Sequence, residues 1–535
     1  MSNRVLEKKA GQAQIIFDDL TSQFDIRAIP TIFVADGRRK AQFTKACLTD
    51  NPFPPPLNVT ILKKRIPAVK LLFQDEKILQ TPAIAAVLAA CSSVATEIGS
   101  LRGDDVAGAA TVCDVAFAGL QAIRLYMADH KGAAFKKTRV LSGVRVNNAF
   151  NGSFFKYRAK DGRDVSFHVY YQSQLNKLAA ALPFSKPGGG YTMLSLSQDK
   201  REMAEVVSRY DALDLEERSF ACGACGCMIR SREEWEATEV GKAVKAMPLI
   251  RQEKESDGPV PDWGKPNSRG PLSGVKVLDL THIIAGPACS RILAEYGADV
   301  LLVRRGTYVE QEQAMLEFDG WAGKNSIQLD FNIPWQLERC KELIREADVV
   351  TYSYQNGVLD RFGLSEADIR RLNPNVIYAN LMCFSDSVWK ERPGWAPLAE
   401  DITGLSARNG SLEKPVNLNG VPLDYFPGFV LALGTLLALA RRLREGGGYK
   451  VTTSLTRGAQ YLHECTDLCE KTSAGNRGSR IAKHSNEPVW NSVLQRVPGC
   501  AVGTACFPGP ATVNSVYPFD LRNLKFTDGN NGWDQ

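Results

Sequence analysis

PLSGVKVLDLTHIIAGPACSRILAEYGADVLLVR, residues Pro271 to Arg304, is the stretch on which the reading of this chain turns. Val275, Val277, Leu278 and Leu280 make a short apolar run of the kind shown by a strand buried on both faces. Ile283 to Pro287 turn the chain, with Gly286 permitting tight backbone geometry and Pro287 suited to the first turn of a helix. A helix is expected from Ala288 to Tyr296, stopped by Gly297, with Val300 to Val303 as the next strand. Such a βαβ unit crosses over right-handed. In sheets built from it, ligands bind beyond the strand C-termini, here near His282 to Gly286. The pattern is equally that of a βαβ unit with only a structural role.

Composition narrows the class. The 535 residues suggest about two to four domains, and 44% hydrophobic with 23% charged residues is the balance of a soluble globular protein. A net charge of +6, with no block of basic residues, gives no reason to expect nucleic-acid binding and does not hinder an anionic ligand. Thirteen cysteines are scattered through the chain and no signal peptide is evident, so reduced thiols and a cytoplasmic location are expected. Cys222, Cys225 and Cys227 have no second ligand pair at suitable spacing, and the five histidines show no ligand spacing, so no metal is expected. The longest apolar run, Phe429–Ala440, falls short of a membrane span, and the C-terminus is not a peroxisomal tripeptide.

Residues 1–55 carry no assignable pattern; IPTIFVADG (Ile29–Gly37) is taken as a chance likeness to thioredoxin-like folds. Phe53 to Pro56 mark a break. Thr81–Ile98 and Ala107–Met127 read as buried apolar helices. Ser153–Tyr157 and Val165–Tyr171 flank an Asp161-Gly162 turn and read as a hairpin, followed by helical stretches around Asp199–Tyr210 and Ser231–Lys245. Polar, Pro- and Gly-rich residues 251–270 read as a linker, residues 271–470 as the main α/β domain, and 471–535 as irregular. The segment Cys113–Val146 repeats the plan of Asp424–Leu455: an apolar helix, a basic glycine-containing turn, then a strand.

Asp424 ends the extended segment Val416–Leu423 and begins an apolar helix. Orphan N–H groups and the helix dipole favour a carboxylate there, so it is expected to be ionised near neutral pH, as a nucleophile must be. A plain N-cap role fits the same position.

The opening stretch resembles the start of the class III CoA-transferase family, which includes formyl-CoA, carnitine and bile-acid CoA-transferases and the related α-methylacyl-CoA racemases. The resemblance continues in order through GKNSIQLDF (Gly323–Phe331), EADVV (Glu346–Val350), NGVLDRFGLS (Asn356–Ser365), LNPNVIYANL (Leu372–Leu381), RPGW (Arg392–Trp395) and LDYFPGFVLALGTLLALARRLREGGGYKVTTSL (Leu423–Leu455). It implies an α/β protein with a Rossmann-like, CoA-binding class III fold and a smaller α+β domain. The hairpin segment resembles the start of that smaller domain. Residues 56–250 are then a partial, degenerate family repeat, fused upstream.

The resemblance further implies Asp424 as the nucleophile that attacks an acyl-CoA thioester, passing through an aspartyl-CoA intermediate to deliver CoA to a carboxylic acid. It implies contacts to CoA from Ile284, Ala285 and Gly286, from Lys324 as a phosphate-binding point charge, and from Tyr354 and Asn356. CoA enters as substrate, with no permanently bound cofactor. The assembly expected is a homodimer, or an intramolecular pseudo-dimer of the fused halves.

Several positions depart from the family. Trp395 stands where racemases carry a histidine base, and an indole cannot exchange that proton near pH 7. Ala396 stands where many members carry Asp or Glu, and Phe384–Ser387 lacks the usual glycines. Glu400 reads as a solvated or structural residue, and His282 as a hydrogen-bonded structural one. An acyl-CoA isomerase and an inactive CoA-binding member remain the alternatives.

Overall fold

Apolar runs in the second half of the chain become the parallel centre of an eight-stranded sheet. The computed structural model describes residues 2–34, 74–122, 124, 129–131, 156–168, 172–183, 200–305, 318–385, 387–473, 494–500, 503–508, 511–517 and 527–528. The central strands are Lys276–Leu280, Asp299–Arg305, Asn325–Leu329, Val349–Tyr352, Ile377–Met382 and Gly448–Ser454. Numbered in that order, they lie 3-2-1-4-5-6 across the sheet, the order of a doubly wound, Rossmann-type domain. Val277 pairs with Val300 on one side and Val349 on the other, so the order reverses between Lys276–Leu280 and Val349–Tyr352. The crevice beyond those two strand ends contains His282 and Tyr354.

One buried carboxylate ties this switch point together. Asp279 Oδ2 accepts from Lys324 Nζ at 2.7 Å and Ser290 Oγ at 2.5 Å, while Oδ1 accepts from the Thr281 amide at 3.1 Å and Thr351 Oγ1 at 3.0 Å. Burial pushes the Asp279 carboxyl up, but the Lys324 charge and these donors outweigh it and hold it below the usual carboxylate range.

The small domain is α+β, as expected. Lys156–Arg158, Asp164–Phe167 and Gly226–Met228 form an antiparallel sheet, with Gly162 in the hairpin turn at φ +77°. Tyr157, Val165, Leu175, Leu178, Val206 and Leu215 fill its core beneath surrounding helices.

Other expectations change. The polar stretch at 251–270 is no free linker: Arg251–Ser256 is the antiparallel edge strand against Gly448–Ser454. Beyond it, Arg102 donates to the carbonyls of Gly264, Trp263 and Pro271 and fastens that segment down. An exposed edge strand is as polar as a linker, which is why the two read alike. Within the predicted helix Ala107–Met127, Thr111–Asp114 is a strand and only Val115–Gln121 is the helix, capped by Asp114. The strand Thr31–Val34 lies parallel to it, and Thr512–Asn514 pairs on its other side. Helix Ser2–Gln23 also gives structure to the segment left unassigned. The C-terminal stretch, read as irregular, supplies Leu494–Cys500 and Gly503–Pro508, paired with Asp129–Lys131. Much of the internal echo, including the turn and strand expected after residue 131, lies outside the described residues.

Two helices, Gln80–Leu101 and Pro422–Glu445, pack on each other across the middle of the molecule. Contrary to expectation, both are long and apolar enough to span a membrane by composition; both are mostly buried inside the protein as core helices.

Candidate functional site

Asp424 is the third residue of the Pro422–Glu445 helix, after Pro422 at the first position and a cap at Val421. It is therefore not the N-cap. The strap leading into it is held by the N-terminal half: the Val421 amide donates to the Ala122 carbonyl at 2.9 Å, and Gln80 Nε2 to the Asn419 carbonyl at 3.1 Å.

A close approach joins the helix that carries Asp424 to the switch-point helix. A Cβ on Gly428 would lie 2.2 Å from the Ala285 carbonyl oxygen and 3.0 Å from Ala288 Cβ, so only glycine lets the Ala285–Glu295 helix come so near. Asp424 is four residues earlier on the same helix face, about 6 Å along the axis. The candidate nucleophile thus stands about one turn before the contact with the switch-point helix.

The protonation state differs from the sequence expectation. Asp424 is half-buried, and burial together with the nearby Glu400 charge raises its pKa to about 8. Among the described residues no hydrogen bond to the Asp424 carboxyl opposes that shift, and the helix N-terminus has no side-chain cap. Asp424 is consequently mostly protonated at neutral pH, not ionised.

Glu400, read from sequence as solvated or structural, is buried on the Ala396–Ile402 helix. Its Oε2 accepts from Asn417 Nδ2 and the Leu418 amide, both at 2.9 Å. Burial lifts its pKa to about 7 against those bonds, with the Asp401 charge adding to the rise. Glu400 and Asp424 therefore titrate as an interacting pair. Asp401 behaves oppositely: burial pushes it up, but neighbouring His168 and Lys156 hold its carboxyl far below the usual range. One signal was available in the sequence: two adjacent carboxylates within the apolar run APLAEDI.

Across the crevice, Ile283 adopts φ +66°, a conformation that costs a β-branched residue on the order of 1–3 kcal/mol and occurs where surroundings impose it. Ile284 caps the following helix and is buried. Gly286 backs onto Thr281 and Ser353, where a Cβ would come within 2.5 Å of Thr281 Cβ. His282 stacks on Tyr354 with ring centroids 4.4 Å apart and 15° between planes. Burial lowers the His282 pKa to about 4, and its Nδ1 has no hydrogen-bond partner among the described residues, so the ring is neutral and stacked on Tyr354. Asn356 Nδ2 reaches the Lys390 carbonyl and Glu391 Oε1, both at 3.3 Å.

Lys324 does not join this set. It is fully buried, and its ammonium is occupied by Asp279 Oδ2, the Pro287 carbonyl at 2.9 Å and Ser290 Oγ at 2.8 Å. With three donors engaged internally it is an architectural cation, not a phosphate contact.

Trp395 caps the Ala396–Ile402 helix by position, and burial pushes the pKa of the nearby Cys225 thiol up to about 12. Cys225 and Cys227 are buried, unreactive thiols, and no metal-holding cluster occurs among the described residues. In the altered loop, Ser385 takes φ +51°, where glycine would sit without strain.

Comparison with known proteins gives a consistent result. Residues 272–493 match CoA-transferase family III. Acetyl-coenzyme A transferase nodX of Hypoxylon pulicicidum is 30% identical over 347 residues, 59% of this chain and 57% of that protein. An acyl-CoA transferase of Gibberella moniliformis is 32% identical, covering 55% and 53% of the two chains. A formyl-CoA:oxalate CoA-transferase of Rhodopseudomonas palustris is 32% identical over 202 residues, 36% of this chain and 48% of its own. The chain thus spans about half the length of the curated relatives it matches. Among solved structures, Rv3272 from Mycobacterium tuberculosis is 26% identical, covering 44% of this chain and 64% of its own, with a TM-score of 0.34. A CAIB/BAIF family protein from Brucella suis is 24% identical, covering 44% and 65%, with a TM-score of 0.32. Over residues 272–493, this chain is similar to CoA-transferase family III.

Proposed function

We propose that the protein moves CoA from an acyl-CoA thioester to an acceptor carboxylate, with Asp424 as nucleophile. The observation that supports this reading is the Ala285–Gly428 contact, one helical turn from a carboxyl whose pKa burial raises.

The chemistry runs in balanced steps. An Asp424 oxygen bonds to the thioester carbonyl carbon and the C–S bond breaks, giving a mixed anhydride and CoA thiolate. The thiolate attacks the Asp424 acyl carbon, releasing the donor acid as a carboxylate and leaving an aspartyl-CoA thioester. The acceptor carboxylate attacks that thioester, re-forming an anhydride and freeing the thiolate. The thiolate then attacks the acceptor carbonyl, giving the new acyl-CoA and regenerating Asp424. One carboxylate enters and one leaves, so no net proton is required. Because the ionised form attacks, the rate rises with pH until Asp424 has titrated near 8.

CoA would lie along Ile284, Ala285 and Gly286, where helix N-terminal amides favour an anion, with Tyr354 and Asn356 on the opposite strand end. Trp395, whose indole cannot act as a base near pH 7, argues against a two-base racemase. The Gln80–Leu101 helix against Pro422–Glu445 supports an intramolecular pseudo-dimer. Ten described cysteines are free, which suits the reducing cytoplasm as the location.

The test is isotope transfer. Each of a panel of labelled free carboxylic acids is incubated with an unlabelled acyl-CoA and the protein, and thioesters are separated. Label entering the thioester pool supports the proposal. Thioester hydrolysis without label incorporation, or exchange of the acyl α-proton alone, would replace it with a hydrolase or an isomerase.

A further inference from the structure

The small domain touches the Asp424 neighbourhood through a buried charge network that the transfer steps do not use. Lys156 begins the first hairpin strand and His168 follows the second. Lys156 Nζ lies 2.8 Å from Asp401 Oδ1, and His168 Nε2 lies 3.5 Å from Asp401 Oδ2. Asp401 is fully buried. Asn417 Nδ2 bridges the two adjacent carboxylates, donating to Glu400 Oε2 at 2.9 Å and reaching Asp401 Oδ1 at 3.4 Å. The next residue, Leu418, gives its amide to Glu400 and opens the strap that ends at Asp424.

We infer that Lys156 and His168 are positioning residues of the transfer site: by holding Asp401 they fix Asn417 and Glu400 beside Asp424, so that the small domain completes the site. This rests on the function proposed for Asp424. The charged and titratable groups facing the network are Lys156, Asp164 and His168 from the hairpin, Cys227 from the third small-domain strand, Glu216 beside Cys227, Glu400 beside Asp401, and Asp424 from the long helix. Arg230 meets Asp401 only through backbone, its amide donating to the Asp401 carbonyl at 3.2 Å.

The physical reason is the burial of Asp401. A carboxylate with no water needs its cation, and removing the cation forces it to take a proton or draw in solvent. Either change alters the acceptor that Asn417 shares with Glu400. The strap from Asn417 to Val421 then loses a fixed end.

The experiment compares Lys156→Met, Lys156→Arg and Arg163→Met in the full chain. Arg163, in the turn of the same hairpin, pairs at 2.7 Å with Glu234 of the Arg232–Ala237 helix and has no contact with Asp401 among the described ion pairs and hydrogen bonds, so its variant controls for a loosened small domain. Hydrogen exchange of peptides covering 417–421 and the pH profile of Asp424 hydroxamate formation in acyl-CoA plus hydroxylamine are both read. Lys156→Met is expected to speed exchange there at least about tenfold and to shift the profile midpoint by at least about half a pH unit. Lys156→Arg restores both, and Arg163→Met leaves both in place. A folded Lys156→Met with wild-type exchange and midpoint, or an Arg163→Met that matches it, would overturn the inference. Wild-type protein that forms no hydroxamate while Lys156→Met still loosens 417–421 would overturn the transfer chemistry and uphold the positioning network.

Discussion

Gly428→Ala probes the contact on which the site depends. The added methyl would sit 2.2 Å from the Ala285 carbonyl oxygen, a backbone atom that cannot rotate away. Ordinary contact needs about 3.5 Å, so the two helices must separate locally by roughly 1 Å. Overpacking of this kind costs about 1–3 kcal/mol, while alanine's better helix propensity returns about 0.8–1.0 kcal/mol. The net loss of stability is therefore small, about 0–2 kcal/mol. The effect on rate is larger, because a misplacement near 1 Å lowers catalysis by up to about 100-fold. Gly434→Ala is the matched control: its Cβ would meet the side chains of Ile250 and Val451 at 2.6 and 2.7 Å, ten residues along the helix from Asp424. Urea unfolding and single-turnover loss of an acyl-CoA are measured on both variants. The expected pattern is comparable stability with a rate loss confined to Gly428→Ala. A Gly428→Ala protein that is stabilised by helix propensity and reacts at the wild-type rate would refute the contact and the placement of Asp424 derived from it.

Three further outcomes follow from the buried charges. Lys324→Met strands Asp279 without its cation and is expected to cost about 3–5 kcal/mol in urea unfolding; a stable variant with weakened CoA binding would instead restore Lys324 as a phosphate contact. Asp424 has a folded pKa raised above its unfolded value, so its contribution to stability is full below about pH 4 and is lost as pH rises through about 8. Asp424→Asn should therefore gain stability over wild type between those limits, by on the order of a few kcal/mol after allowing for partial exposure; a gap that does not widen with pH contradicts the shift. Glu400→Gln removes the second cause of that shift and should move the acidic limb of the rate profile downward, by less than the part due to burial; an upward move would reverse the assigned repulsion.

The main domain was legible because its strands are uninterrupted apolar runs: VLDL and VVTY became neighbours at the switch point where a βαβ reading puts a ligand. Long-range partners were not legible. Lys324 was expected at a CoA phosphate because its partner, Asp279, lies 45 residues upstream, although an aspartate inside a buried strand itself demands a cation. The ionisation of Asp424 was read from its helix position alone, and burial, with Glu400 brought near by folding, raises its pKa to about 8. Arg251–Ser256 has the polarity of a linker because it is an exposed sheet edge. The strand Thr111–Asp114 was absorbed into a helix by the alanine-rich residues around it, since short apolar runs carry no periodicity that separates the two.

The central claim is that Asp424 becomes covalently acylated. The most direct measurement is peptide mass spectrometry of protein incubated with acyl-CoA and hydroxylamine. A hydroxamate at Asp424, absent from Asp424→Asn, is the predicted result. Unmodified Asp424 across short, branched and long acyl-CoAs, in protein shown by calorimetry to bind CoA, would contradict the account.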